Sequence, residues 1–195
     1  MKIKGLIFDL DGVLVDTKKI HFEALNCALK SINFEEISFK DHVNIYDGLP
    51  TLEKLRILSN KKGLNKKLFS KIQRKKQIET QKLLNKNLKY NPKISKLFSR
   101  LSKNYRICIA TNAINKTLQV CLKKLKIEKF IYSSFSNQDV KNNKPHPEIY
   151  LKCLIDMGLK PSETLIFEDS SHGVMAAQDS GCHLFTVKNL SDISY

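Results

Sequence analysis

The chain has 195 residues, of which 42% are hydrophobic, and this suffices for one packed core with a small inserted domain. No apolar run reaches the ~20 residues of a membrane-spanning helix, and the first residues lead directly into a predicted strand, so we expect a cytoplasmic protein with no signal peptide and no membrane partner. The formal charge of +15 comes mostly from lysines spread along the chain, with only four arginines, so we expect anionic substrates and no nucleic-acid binding.

The first predicted element is a strand over residues 2–10, whose nearly continuous apolar run is typical of a buried parallel strand. The basic stretch of residues 71–89 alternates apolar and charged residues, and we interpret it as a solvated helix face. Apolar residues recur at helical spacing in three segments, residues 18–32, 51–63 and 65–87. The region from residue 17 to residue 88 is therefore predicted to be purely helical.

The pattern changes after residue 88, because predicted strands now alternate with helices of about a dozen residues. Such alternation predicts parallel β-α-β units with right-handed crossovers. The predicted strands lie at residues 106–111, 130–136, 164–169 and 183–187. We therefore expect an α/β fold, a Rossmann-like three-layer core with a parallel sheet formed by residues 1–16 and 89–195. Residues 17–88 would form an inserted α-helical cap domain.

Polar side chains follow the predicted strands at the point where each strand ends. Since open parallel sheets bind ligands at the carboxyl ends of their strands, we expect these side chains to lie in one crevice. They are Asp9 and Asp11 after the first strand, Thr111 and Asn112 after the second, Lys144 before a Pro-led helix, and Glu168 and Asp169 after a later strand.

The chemistry open to this set is narrow. Clustered carboxylates raise one another's pKa unless a cation shares their site, and oxygen ligands favour a hard ion such as Mg²⁺. An ammonium and a hydroxyl beside that ion fit the oxygens of a phosphate group. A carboxylate in line with phosphorus can form an acyl phosphate, and a second one can serve as general acid and base. These residues therefore predict phosphoryl transfer.

Four segments carry a resemblance to a known family. The runs "DLDGVLVDT", "ATN", "KPHPEIY" and "FEDSSHGV" resemble, in order and spacing, the four motifs of the haloacid dehalogenase-like superfamily. Within it, the sequence is most similar to the subfamily I phosphatases and the β-phosphoglucomutase-like group, which carry a helical cap after the first motif. The resemblance covers essentially the whole chain. It implies a magnesium-dependent phosphatase acting on a small phosphorylated metabolite, with sugar phosphates expected, through an aspartyl-phosphate intermediate.

The resemblance also implies a role for each motif residue. Asp9 would be the nucleophile and Asp11 the general acid and base. Thr111 and Lys144, with Asn112 beside them, would bind the phosphate. The resemblance implies that Mg²⁺ is held by the Asp9 side chain, the Asp11 carbonyl and Asp169, with Glu168 as a further metal partner.

A phosphomutase of the same fold is the main alternative. Thr17 and His21 lie one helical turn apart and match a Thr and a His of the β-phosphoglucomutases. Pro50 and Thr51 stand where such mutases carry an Arg that grips a second phosphate, which favours a phosphatase. We expect the substrate to be chosen by the loop of residues 44–51, with its Asp47–Gly48 turn. Arg56, which we also count among the substrate residues, or Lys54 could supply the grip on a second phosphate one turn further along the helix, so the mutase stays an alternative.

Two further alternatives remain open at this point. Haloacid dehalogenation would use Asp9 without Mg²⁺, but Asp11 and the Glu168–Asp169 pair favour phosphoryl chemistry. A catalytically idle binding protein of the same fold is disfavoured, because all four motifs are intact. The protein is expected to be a monomer or a weak dimer.

Overall fold

The structure is a computed structural model, and it describes residues 2–188 and residue 192. The chain divides into two compact units. Met1–Asp16 and Lys89–Tyr195 form the first, here called the α/β unit, and Thr17–Leu88 form the second, the helical unit. The helical unit is inserted into the α/β unit between its first strand and the rest of its chain.

The α/β unit contains a five-stranded parallel sheet with the strand order β3-β2-β1-β4-β5. The first strand lies at the centre, and the strand order reverses beside it, which in open α/β sheets creates a crevice for a ligand. The strands are β1 (Gly5–Phe8), β2 (Arg106–Ala110), β3 (Ser133–Phe135), β4 (Thr164–Glu168) and β5 (His183–Thr186). The helices are α5 (Pro92–Leu101), α6 (Asn115–Leu125), α7 (Glu148–Met157) and α8 (Ser171–Asp179).

Helices cover both faces of this sheet because successive strand residues point to opposite faces. Ile7 of β1 packs in a cluster with residues of α7 and α8. On the other face, Phe8 lies 5.1 Å from the ring of Phe98 of α5 and stacks on Phe167 of β4 at 4.4 Å. Both β1 residues are fully buried, so the strand that leads to Asp9 is held from two sides.

The helical unit contains four α-helices, α1 (Lys18–Lys30), α2 (Phe39–Asp41), α3 (Thr51–Lys62) and α4 (Phe69–Asn87). Its core includes Leu25 and Leu29 of α1, Leu55 of α3 and Ile72 of α4. A π-helical turn over His42–Tyr46 follows α2 and was not predicted from the sequence. Such turns are rare and are frequent at functional sites.

The interpretation of residues 71–89 as a solvated face needs one correction. Lys76 is only 9% exposed, and Thr80 is buried with it. Both lie in the stripe of α4 that also carries Ile72 and Leu84, four residues apart along the helix. The remaining basic residues of this stretch follow the expected pattern of partly or fully exposed side chains.

The predicted fold class, a Rossmann-like parallel α/β core with an inserted helical segment, is confirmed. Among the described residues, no helix combines the length and the apolar character that a membrane crossing requires.

Candidate active site

A buried ion-pair network lies where the central strands end. The Asp9 backbone N–H donates to the Phe167 carbonyl at 3.0 Å, so the pairing of β1 with β4 fixes the position of Asp9. The Lys144 ammonium donates to Asp9 Oδ1 at 2.6 Å, to Glu168 Oε1 at 2.5 Å and to the Ala110 carbonyl at 2.9 Å. Three side chains singled out from the sequence therefore meet in one buried cluster.

Both carboxylate oxygens of Glu168 are bound by the protein. Oε1 accepts hydrogen bonds from Lys144 and from the Tyr150 hydroxyl, the latter at 2.8 Å. Oε2 accepts from the Asp169 backbone N–H at 3.0 Å, and from the backbone N–H and hydroxyl of Ser170 at 3.1 and 3.2 Å. The Lys144 ammonium also lies 4.8 Å from the centre of the Tyr150 ring. Glu168 and Tyr150 together hold the ammonium in one place.

The electrostatics of the cluster follow from its burial. Burial raises the pKa of Asp9 well above its ordinary value, and Lys144 opposes this rise. The carboxylates of Glu168, Asp11 and Asp169 add to it. Burial acts against the charge of Lys144, but Asp9 and Glu168 still raise its pKa above the ordinary value. Burial acts to raise the pKa of Glu168, yet Lys144 and the surrounding donors hold it below its usual value.

The same cluster offers a group of cation ligands. Carboxylate oxygens of Asp9, Glu168 and Asp169 all lie within 4.8 Å of one another. Gly12 makes room for this arrangement, because a Cβ at that position would lie 2.0 Å from Asp169 Oδ2, and its φ of +89° suits only glycine. An all-oxygen set with surplus negative charge is the donor chemistry that Mg²⁺ prefers. The residues present therefore fit the predicted metal.

Thr111 and Asn112 follow β2 beside this cluster. The Thr111 hydroxyl accepts from the Ala113 backbone N–H at 3.0 Å, and the side chain is buried. The Asn112 side chain accepts from the Lys144 backbone N–H at 3.2 Å and donates to the Lys144 carbonyl at 3.3 Å. The amide of Asn112 thus ties the Lys144 loop to the end of β2.

The substrate residues predicted in the helical unit are spread over several elements. His21 Nδ1 lies 3.2 Å from the Lys76 ammonium, and Thr17, one turn earlier, is buried. Asp47 pairs with Lys18 at 3.3 Å. Two further members of this predicted set are Gly48, which has a φ of +71°, and Arg56, which is exposed on α3 and paired with Glu53.

Sequence reasoning gave no role to three buried polar residues, Tyr150, Lys76 and His42. Tyr150 stands inside the quoted "KPHPEIY" motif, at the helical spacing that puts it on the buried face of α7 with Cys153. Lys76 could have been found as a lysine occupying the apolar stripe of α4. His42 is also buried, and the sequence around it carries no comparable signal. Lys54, which the sequence analysis names, is buried as well.

Comparisons with known proteins agree with this geometry. The family model of haloacid dehalogenase-like hydrolases matches residues 6–187. A phosphorylated carbohydrates phosphatase of Thermotoga maritima is 31% identical over 92% of this chain and 82% of its own length. A probable pseudouridine-5'-phosphatase of Drosophila melanogaster is 28% identical over 95% of this chain and 82% of its own. The crystal structure of a β-phosphoglucomutase from Clostridium difficile superposes with a TM-score of 0.83 at 26% identity, covering 98% of this chain and 87% of that one.

The fold and the cluster at its strand ends define a Rossmann-like α/β protein with an aspartate-centred site. The chain belongs to the haloacid dehalogenase-like hydrolases. The predicted family is confirmed, and with it the prediction of a hydrolytic enzyme whose named relatives include phosphatases.

Proposed function

We propose that this protein is a magnesium-dependent phosphatase that hydrolyses a small phosphorylated metabolite, with sugar phosphates as its substrate class. The proposal rests chiefly on Asp9, which stands at the end of the central strand with Lys144 at 2.6 Å and the Asp169 carboxylate nearby. The relative from Thermotoga maritima, a phosphorylated carbohydrates phosphatase, supports the substrate class.

Asp9 is the nucleophile in this proposal. Lys144 holds one of its carboxylate oxygens and favours the ionised form, while β1 and β4 fix its backbone. An Asp9 oxygen attacks phosphorus, the bond from phosphorus to the leaving oxygen breaks, and an acyl phosphate forms on Asp9. Because the aspartate is already oriented, little reorganisation is needed at the moment of attack.

Asp11 carries the protons. It lies two residues beyond Asp9, where the chain turns, and its carboxylate is close enough to affect the pKa of Asp9. In the first step it protonates the leaving oxygen. In the second step it takes a proton from water, which attacks the acyl phosphate, releases inorganic phosphate and restores the Asp9 carboxylate.

The carboxylates of Asp9 and Asp169, with the backbone carbonyl of Asp11, would hold Mg²⁺. When bound, the ion supplies positive charge that stabilises the ionised carboxylates and the charge on the phosphate oxygens. Glu168 has both oxygens engaged by neighbouring donors. We therefore assign Glu168 mainly to positioning Lys144, and only secondarily to the metal.

The phosphate would be bound by the Thr111 hydroxyl and by Lys144. The three N–H donors of Lys144 already meet three acceptors, so a phosphate oxygen must replace one of them. Asn112 supports this exchange by holding the Lys144 backbone in place.

Residues 17–88 would act as the cap domain that selects the substrate. Thr17, His21, Asp47 and Gly48 remain the proposed substrate residues on the helical unit. Arg56 is a weaker member of this set, because it is exposed and already paired with Glu53.

A phosphate-release screen over a panel of phosphorylated metabolites tests the proposal. We expect release from sugar monophosphates with Mg²⁺ present, loss of release on adding EDTA, and recovery on restoring Mg²⁺. Ca²⁺ should support turnover poorly, since its coordination is larger and less regular. Full activity in EDTA, or no release from any compound, would contradict the proposal.

A phosphomutase is the second candidate, because the structure superposes well on a β-phosphoglucomutase. A mutase must hold a bisphosphate intermediate while it turns, and Pro50 and Thr51 replace the residue expected to grip the second phosphate. We therefore expect no isomerisation of β-glucose 1-phosphate, even when the assay is primed with glucose 1,6-bisphosphate. Rapid formation of glucose 6-phosphate in that assay would favour the mutase.

A further inference from the structure

The two sides of the α/β unit differ in the sign of their charge. The segment of residues 89–130, which carries α5 and α6, holds eleven of the 34 Lys and Arg residues and a single acidic residue, Glu128. The segment of residues 139–183, which carries α7 and α8, holds four basic and seven acidic residues. Much of the positive charge of the protein therefore belongs to two helices.

Helices α5 and α6 lie on the same face of the sheet. The chain crosses the sheet in one direction from β1 to β3 and in the other direction from β3 to β5, so right-handed crossovers put α6 on one face and α7 and α8 on the opposite one. The Ser95 hydroxyl of α5 donates to the Lys126 carbonyl at the end of α6, at 3.3 Å. The Lys126 ammonium lies 4.7 Å from the centre of the Tyr90 ring, just before α5. The outer surfaces of α5 and of the end of α6 are thus adjacent.

Helix α5 separates its apolar side from its basic side. Its residues Ile94, Leu97 and Phe98 are buried, whereas its two lysines, three residues apart on the helix, are exposed. The last turn of α6 and the turn that follows it expose three further lysines. We call these five residues the basic face; they are Lys93, Lys96, Lys123, Lys126 and Lys129.

The composition of this surface indicates which polyanion it fits. Lysine acts as a point charge that contacts phosphates without reading a base sequence. Stable binding to an anionic membrane usually adds buried apolar side chains, and no large apolar side chain of α5 or α6 is exposed. Tyr90, in contrast, is 46% exposed beside Lys126, and an aromatic ring next to cations offers a stacking surface to an unpaired base. A single-stranded nucleic acid satisfies both features.

We propose that the basic face and Tyr90 bind single-stranded RNA without sequence preference. The lysines contact successive phosphates, and the Tyr90 ring stacks on a base. We choose RNA because its loops and ends are ordinarily single-stranded. The spread of lysines along the sequence predicts no nucleic-acid binding, whereas the fold gathers a set of them on one surface. The basic face shares no residue with the proposed active site, so the test below is independent of the phosphatase.

Binding is measured by the fluorescence anisotropy of a labelled oligouridine with hydroxyl groups at both ends. Such a probe carries no terminal phosphate that the proposed active site would take as a monoester. We expect binding at low salt (about 50 mM KCl) that weakens linearly as log affinity against log salt. We also expect tighter binding of the single strand than of an RNA duplex of equal length. No binding of the single strand, or binding only of the duplex or of phosphatidylserine vesicles, would overturn the proposal.

A triple variant assigns the binding to the basic face. Lys93→Gln, Lys96→Gln and Lys123→Gln together remove three charges at exposed positions and keep residues that favour helices. The dissociation constant should rise tenfold or more. The slope of log affinity against log salt should fall by about 2, since each phosphate contact on a single strand contributes about 0.7.

The matched control removes the same charge from exposed positions of the helical unit, through Lys61→Gln, Lys66→Gln and Lys67→Gln. It should change the dissociation constant less than threefold. An equal loss in both triple variants would show that only the total charge attracts the RNA, and would overturn the proposal, as would full binding in the first triple variant. Thermal unfolding of both proteins checks that the fold is kept.

A further variant tests the stacking of a base. Tyr90→Leu removes the aromatic ring and should weaken binding of the oligouridine about tenfold. It should leave binding of the duplex unchanged, because paired bases are not available to Tyr90. Unchanged binding of the single strand in Tyr90→Leu would contradict the assignment to single-stranded RNA.

Discussion

The α/β unit and the helical unit both bury charged side chains, but they balance the charge differently. In the α/β unit, Lys144 lies within 2.6 Å of both Asp9 and Glu168, so opposite charges of the chain meet directly. In the helical unit, the buried charged side chains are the lysines Lys54 and Lys76. The buried lysine of the α/β unit is therefore paired with carboxylates, whereas the Lys76 ammonium of the helical unit lies 3.2 Å from the Nδ1 atom of His21.

This difference separates two tasks. A buried network whose donors and acceptors are paired with one another is rigid before the substrate arrives. Such a network holds the nucleophile in a fixed position, which suits a reaction that is the same for every substrate. In the proposed function, the α/β unit carries the chemistry and the helical unit selects the substrate.

The largest expected effect comes from removing the nucleophile. Asp9→Asn keeps an oxygen that can accept from Lys144, so the fold should survive, but kcat should fall by at least ~10⁴-fold. Asp11→Asn should cost about 10²–10⁴-fold, the usual range for a general acid and base. Asp179→Asn, at an exposed position of α8, serves as the control and should keep full activity. Appreciable turnover in Asp9→Asn would refute its role.

The second prediction concerns the buried ion-pair network of Asp9, Lys144 and Glu168. Glu168→Gln removes the charge that Lys144 faces while keeping the shape of the side chain, and breaking a buried pair in this way should destabilise the fold by about 3–5 kcal/mol. Glu163→Gln is the matched control, because Glu163 pairs with Lys4 at 2.6 Å on the surface and should cost less than about 1 kcal/mol. Urea unfolding of both variants measures the difference. Equal losses would mean that the buried network is no stronger than a surface pair.

The third prediction concerns the space beside Asp169. Gly12→Ala places a Cβ 2.0 Å from Asp169 Oδ2, so the carboxylate must move and the apparent affinity for Mg²⁺ should fall on the order of 100-fold. Gly63→Ala is the control, since its φ of +72° is similar but its Cβ would meet no atom within 4 Å. It should cost about 1 kcal/mol of stability and leave the Mg²⁺ dependence unchanged. Activity titrated with Mg²⁺ distinguishes the two, and a normal titration in Gly12→Ala would count against the metal site.

The contrast between the units also explains what the sequence could predict. The sheet was predictable because its strands are apolar runs separated by helices of regular spacing, and Asp9 and Lys144 lie in motifs next to those strands. The positions of Asp9 and Lys144 can therefore be inferred from the residues next to them in the sequence. The bonds of Tyr150 to Glu168 and of Asn112 to the Lys144 backbone depend on how distant segments meet, which no local pattern records.

In the helical unit the sequence predicts the helices but not which of their polar side chains are buried. The apolar stripes predict helices α1, α3 and α4, but the usual exposure of lysine predicts that a lysine within a stripe is solvated. Lys76 breaks that rule, and the π-helical turn that carries His42 has no sequence signature. The residues that the sequence did not predict to be buried were thus polar or charged ones, which usually lie at the surface.

The smallest expected effect is the pH dependence of stability that His42 introduces. Its pKa is lowered by burial to about 4 in the folded protein and is near 6.5 when unfolded, so between these values the unfolded state binds the proton more readily. The contribution of neutral His42 to the free energy of unfolding is fully present above pH 6.5 and is lost as the pH falls towards 4. Between pH 7 and pH 5 this loss amounts to about 2 kcal/mol. His42→Phe retains an aromatic ring beside Phe22 and Phe39 but cannot titrate, so its stability should fall less over this range. Urea unfolding at pH 7, 6 and 5 measures both proteins. Parallel losses would show that His42 takes up its proton as easily in the folded protein as in the unfolded one.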